Sequence, residues 1–267
     1  MNIFIYEMKT YQNSIIIWSL SISALMLLFM AIYPTFAEDA ALMESILSNF
    51  PEEFARAFGM GGNLSLTSVP GYFKFIFIYI QLAISIQSSN YGFHFLSVDE
   101  RELTADFIMS KPVSRRKLVI SKFSAAFSGL IITNTITTAA GLISIELFRN
   151  GNSYDAGNIL VLMSSTFFFQ LFFLSAGMLV SVSVKKIRSV LAYSMGLAFG
   201  MYIISALKEA LGMKALGYIS PFYHFEPGYM IEFGKYNMER ASISFAFIIV
   251  SIVVSWNLYM KRDIHSL

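Results

Sequence analysis

Three histidines, His94, His224 and His265, and one Gly-Lys pair, Gly234-Lys235, are the residues of this 267-residue chain whose types invite a search for chemistry. A zinc hydrolase of the H-E-x-x-H kind needs two histidines one helical turn apart so that both rings meet one ion. The three histidines stand far apart and none has that pattern around it. A phosphate-binding loop needs G-x-x-x-x-G-K-[ST], whose backbone amides and lysine hold the phosphates. Here Tyr236 follows Lys235. With no cysteine there is no thiolate ligand, thiol nucleophile or disulfide. The sequence predicts no catalytic residue, no metal and no cofactor in this chain.

The elements that would position any chemistry are apolar. Hydrophobic residues make up 56% of the chain and charged ones 13%, about half the share of an ordinary soluble domain. Net charge is +2 with no long basic block, which excludes a nucleic-acid partner. Six stretches lack Asp, Glu, Lys and Arg: residues 14–33, 75–98, 123–145, 156–184, 189–207 and 241–260. Each is long enough to cross a hydrocarbon core of about 30 Å as a helix, and lipid requires backbone groups to pair within their own segment. The first run lacks a small-x-small cleavage site, so it reads as a span and not a signal peptide. The expected fold is all-α: one polytopic domain over residues 1–267.

Basic residues orient it. With the N-terminus inside, twelve Lys and Arg fall on the cytoplasmic side and seven outside, so both termini are expected in the cytoplasm of a cell membrane. Asn2 to Asn13 mixes apolar and charged residues and predicts a short helix lying in the inner interface before span one. In the outer segment 34–74, Leu42, Ile46, Phe50, Phe54 and Phe58 recur every four positions. This predicts amphipathic helices divided by Pro51 and ended near Gly59, Gly61 and Gly62. The loop 208–240 contains SPFYHFEPGYM, whose prolines and aromatics predict a folded cap or a partly re-entrant turn at the headgroup level.

Polar residues inside the spans are few. Gln81, Gln87, Ser88, Ser89, Asn90, Asn134 and Gln170 could line a hydrated cavity or hydrogen-bond between spans. His94, near the inner end of span two, is expected to be hydrated or bonded to a neighbouring span. No span carries a mid-membrane carboxylate for ion coupling, since Glu146 falls at the outer end of span three. Gly129, Thr133, Thr137 and Gly141 in span three, and Ala192, Gly196 and Gly200 in span five, recur every four residues, a pattern for close helix packing within the chain or across a dimer.

One strip breaks the apolar pattern. VDERELTADFIMSKPVSRRKLVISK, Val98 to Lys122, holds ten of the thirty-six charged residues. Glu100 to Ser110 places Leu103 and Phe107 on one helical face with Ile108 beside them, and Glu100, Arg101, Glu102 and Asp106 elsewhere. Pro112 should stop this helix near Lys111, and Ser114 is placed to cap span three. Arg115, Arg116 and Lys117 then fall in the first turn of that span, the wrong end for cations on a helix dipole. Anionic headgroups, the positive-inside bias or an acidic partner would favour them there. On pattern alone the strip also reads as a plain basic loop.

The whole phrase DERELTADFIMSKPVSRRKLVISK resembles the stretch after span two in bacterial ATP-binding-cassette (ABC) permeases of the six-span, type-2 exporter class, where an acidic and basic run and a short helix precede a KPVSR-type turn. The interfacial N-terminus, six spans and closing MKRDI extend the resemblance over nearly the full length, while the long outer segment departs from shorter members. The resemblance implies a coupling segment at 99–117 that docks on a separate ABC ATPase subunit. Its docking residues would be Glu100, Arg101, Glu102, Leu103, Thr104, Asp106, Phe107, Ile108, Lys111, Pro112, Ser114, Arg115, Arg116 and Lys117, with Leu103 and Phe107 as anchors. It also implies export, ATP and Mg held by that partner, and a second permease chain, identical or related. An aromatic, charge-poor pathway would suit an amphipathic or lipid-like substrate such as an antimicrobial peptide. Phe50, Phe54 and Phe58 are the expected extracellular gate. An ion-coupled secondary transporter and an intramembrane enzyme are the rival readings.

Overall fold

Apolar runs of about twenty residues, each flanked by residues able to cap a helix end, dictate long helices. The computed structural model describes residues 3–47, 49–51, 55–56, 58–61, 63–101, 114–184 and 187–261. Among the described residues there are ten helices and no strand: α1 (Ile3–Glu38), α2 (Ala40–Leu47), α3 (Val69–Arg101), α4 (Arg115–Phe148), α5 (Ala156–Ser183), α6 (Val190–Leu211), α7 (Lys214–Gly217), α8 (Pro221–His224), α9 (Pro227–Phe233) and α10 (Met238–Lys261). Six of them, α1, α3, α4, α5, α6 and α10, are long and apolar enough to span a membrane. The chain is an all-α, multi-pass membrane protein.

Local chemistry sets the boundaries. Ser114 caps α4 by accepting the Lys117 N–H at 3.3 Å, and Asp155 caps α5 by accepting those of Gly157 and Asn158 at 2.7 and 3.2 Å. Ser189 and Ser220 do the same for α6 and α8. Pro221 and Pro227 open α8 and α9, where a missing N–H costs nothing. Gly212 and Gly234 end α6 and α9 in the left-handed region, at φ 65° and 61°.

Helix boundaries differ from those of the apolar stretches. The described residues of Asn2 to Asn13, expected to lie in the inner interface, run straight into span one as part of α1. No glycine or proline stands between Asn2 and Tyr33, so nothing interrupts the hydrogen-bond ladder there. Helices α3 and α4 also overrun their apolar stretches, starting at Val69 and Arg115. With 34 residues at 1.5 Å each, α4 is about 51 Å long, well beyond the hydrocarbon core.

Helix α5 is the most enclosed, packed by α3, α10, α4 and α9; α3 carries α6 on another side, and α1 pairs with α4. Two apolar clusters fill the bundle. The one at the end bearing α2 and α7 to α9, the cap end, includes Tyr33, Tyr72, Phe77, Ile145, Phe169 and Phe225. The other, at the end bearing the N-terminus and the α3–α4 connection, the terminal end, includes Tyr11, Tyr91, Phe95, Leu118, Leu174 and Tyr259. Ile16, Ile17 and Leu20 of α1, Phe199 and Ile203 of α6, and Ile249 and Val250 of α10 face outward. Apolar faces this extensive suit lipid.

The cap is locked by His224, which is 2% exposed. Its Nε2 lies 3.1 Å from the Tyr218 carbonyl, which can only accept, so Nε2 carries the hydrogen and Nδ1 accepts from the Ser244 hydroxyl at 2.7 Å. Burial, helped by the Arg240 cation, lowers the ring's pKa to about 4. Above pH 6.5 neither folded nor unfolded ring is protonated, and this contribution to stability is complete. As pH falls from 6.5 toward 4 the unfolded ring takes the proton first, and the contribution is progressively lost. Hydrogen exchange across 218–234, corrected for intrinsic rates, is expected to speed up between pH 7.5 and 5. His224→Gln should flatten that dependence, and exchange that ignores pH in the wild type would remove His224 as the lock.

Candidate functional site

The chain leaves α3 at Arg101 and enters α4 at Arg115, and the side chains nearest that passage form the candidate site. Ser114 fixes where α4 starts, with Arg116 and Lys117 exposed in its first turn. Lys122, two turns in, is different, being only 4% exposed. Its ammonium lies 3.7 Å from the Glu7 carboxylate of α1 and donates to the Phe95 carbonyl of α3 at 3.3 Å. One cation thus joins three helices beside the passage. Next to it Tyr11 packs against Tyr91, ring centres 4.7 Å apart, and meets His94 edge-on at 5.7 Å. His94 therefore contacts a neighbouring span through its ring.

Of the residues expected to dock a partner, Glu100 and Arg101 end α3 and do not begin a separate helix. Ser114, Arg115, Arg116 and Lys117 open α4. Glu102, Leu103, Thr104, Asp106, Phe107, Ile108, Lys111 and Pro112 lie outside the described residues, as does Phe54. Phe50 and Phe58 are exposed.

Further along the bundle, polar side chains cross between helices. Gln87 donates through Nε2 to the Thr133 hydroxyl at 2.9 Å and to the Tyr91 hydroxyl at 3.2 Å, while Ser19 of α1 donates to Thr133 at 3.3 Å. Asn134 donates to Thr166 at 2.6 Å and to Gln170 at 3.4 Å, joining α4 to α5. Gln81 donates to the Phe225 carbonyl at 2.9 Å, tying α3 to the cap. Such bonds fix helix register in a lipid solvent that supplies no competing partners. Among the described residues no three His, Asp or Glu side chains gather as a metal site.

The four-residue strips behave differently. Gly129, Thr133, Thr137 and Gly141 are all buried in α4. A Cβ on Gly129 would stand 3.0 Å from Ile15, and one on Gly141 would stand 2.2 Å from Met163 Cε. In α6 the buried residues are Val190, Ser194 and Ala198, and a Cβ on Gly196 or Gly200 would meet nothing within 4 Å. Among the described residues neither position is crowded by a neighbouring helix. Sequence spacing cannot tell an inward strip from an outward one.

Two contacts carry no sequence signal of that kind. Gly92 and Gly177 bring α3 and α5 together backbone to backbone: a Cβ on Gly92 would lie 2.3 Å from the Leu174 carbonyl oxygen, and one on Gly177 would lie 2.8 Å from that of Ser89. Neither belongs to a four-residue strip of small residues like those above. The Glu7–Lys122 pair links residues 115 positions apart, and only the two charges near span ends hint at it.

A comparison with curated proteins finds no match. The family described as ABC-2 family transporter protein has a model that matches residues 1–264, taking in the junction of α1, α3 and α4, all six long helices and the cap. Agreement over nearly the whole length, on a bundle of six membrane-length helices, means that the chain belongs to the ABC-2 transporter family as a membrane permease.

Proposed function

We propose that the chain is the transmembrane subunit of an ATP-driven exporter whose ATP and Mg are handled by separate ATPase subunits docked on residues 100–117. Permeases of this family associate with ABC ATPase subunits in general. The observation that supports the docking site is the Lys122 junction: the ends of two long helices flank residues 102–113, and one buried cation ties both to α1. A partner that pulled on 102–113 would act on three helices at once. Two such chains, identical or related, would form the pathway, with both termini in the cytoplasm of a bacterial cell. The cargo proposed is amphipathic or lipid-like, such as an antimicrobial peptide, leaving past Phe50, Phe54 and Phe58.

Co-purification with an ABC ATPase subunit co-expressed from the same genome tests the docking. Apolar anchors at interfaces cost about 2 kcal/mol or more when removed, so Leu103→Asp with Phe107→Asp should abolish the complex while the permease remains folded in the membrane. An ATPase that still binds the double variant as tightly as the wild type would refute docking through this strip.

A further inference from the structure

At the cap end three helix termini converge on a cleft of about 490 Å³. Lys74 lines it from the start of α3, Lys208 from the last turn of α6 and Arg240 from the first turn of α10, with Arg56 and Lys214 completing its cations. Three carboxylates share the lining. Arg240 donates to Glu226 at 2.7 Å and stacks 3.9 Å from the centre of the Tyr223 ring, and Lys208 pairs with Glu209. Glu232 accepts from Asn63 at 3.1 Å. Among the described residues five cations and three anions therefore line the cleft. Lys74 is half-buried, donates to the Gly61 carbonyl and feels the carboxylates of Glu226, Glu209 and Glu232, and Lys214 is exposed with no ion pair among the described residues. Tyr229 and the exposed Phe233 add apolar surface to the same cleft.

We propose that this cleft binds the phosphate of an anionic phospholipid headgroup, with Lys74 and Lys214 as its charged contacts. Even without Arg56, four cations against three carboxylates among the described lining residues leave a positive surplus that selects an anion, and a compact ammonium serves phosphate as a point charge. The position of the cleft selects the source. Lys74, Lys208 and Arg240 stand where the apolar runs of α3, α6 and α10 give out, the level at which headgroups meet a spanning helix. Tyr229 and Phe233 would then lie against the glycerol and upper acyl region. Binding of this kind is a property of the permease alone and does not depend on ATPase docking.

The test is native mass spectrometry of the full chain in detergent, titrated with dioleoylphosphatidylglycerol, dioleoylphosphatidylcholine or glycerol phosphate. The expected result is tighter binding of the first phosphatidylglycerol than of phosphatidylcholine, weakened about five-fold by Lys214→Gln and by Lys74→Gln and unchanged by Lys235→Gln, an exposed lysine of the same end that does not line the cleft. Lys214 is exposed, so its variant folds even where Lys74→Gln does not. Equal binding of the two lipids, or wild-type affinity in Lys214→Gln, overturns the proposal. Glycerol phosphate binding as tightly as the lipid overturns the membrane source and assigns the cleft to soluble phosphates.

Discussion

Gly177→Leu is expected to leave almost no folded permease. At the crossing of α3 and α5 the atoms that a side chain on Gly177 would strike are backbone: the Ser89 oxygen at 2.8 Å, the Gly92 Cα at 3.0 Å and the Phe93 nitrogen at 3.0 Å. A crowded side chain can rotate away, but a helix backbone moves only with its whole helix. Overpacking a core costs about 1–3 kcal/mol and occasionally more, and here even a methyl group lies inside contact distance. Gly177→Ala and Gly92→Ala should therefore lower the thermal midpoint in detergent clearly, and Gly177→Leu should abolish the monodisperse peak in size-exclusion chromatography. Gly196→Leu, a glycine that meets nothing within 4 Å, is the control and should melt like the wild type. A Gly177→Leu protein that elutes and melts normally would mean that α3 and α5 do not cross here.

Removing the Lys122 cation ranks second. Its partner carboxylate on Glu7 has a side chain only 10% exposed, so Lys122→Met leaves that charge in the bundle without the ammonium that answers it. Breaking one side of a buried pair costs about 3–5 kcal/mol, whereas replacing both sides by groups of similar size is often close to neutral. Lys122→Met should be strongly destabilised, and adding Glu7→Gln should recover most of the loss. The non-additivity in a double-mutant cycle of melting temperatures measures the pairing directly. Additive losses would mean that the two residues act separately.

Much of this architecture is written locally in the chain. The six apolar runs, Ser114 before span three, and Pro221 and Pro227 in the cap each act on their own few neighbours, so sequence suffices to read them. The boundaries are less legible, because α1, α3 and α4 continue into charged flanks where only tertiary packing decides how far a helix persists. The join at Asn13 shows the limit: amphipathic composition marks a change of environment, but without glycine or proline the helix has no reason to stop. Long-range geometry is the least legible. Gly129 and Gly196 sit in identical four-residue rhythms, yet one faces Ile15 and the other faces away from the chain. Gly92 has no such rhythm and meets Gly177 backbone to backbone. The strip proposed for docking is legible only through its phrase, and residues 102–113 lie outside what the structure describes.

The unbroken course of α1 has a mechanical consequence. Near one end the helix holds Glu7 against Lys122; near the other, the Tyr33 hydroxyl donates to the Thr67 carbonyl at 3.1 Å and accepts from Asn152 at 3.0 Å. Between these grips lie 26 residue steps, about 39 Å of helix with no joint. Such a rod has little backlash: an axial displacement imposed at the terminal end arrives at the loops before α3 and before α5 nearly undiminished. A glycine pair inserted midway, at Ser21 and Ser23, would turn the rod into a hinge while leaving both grips in place.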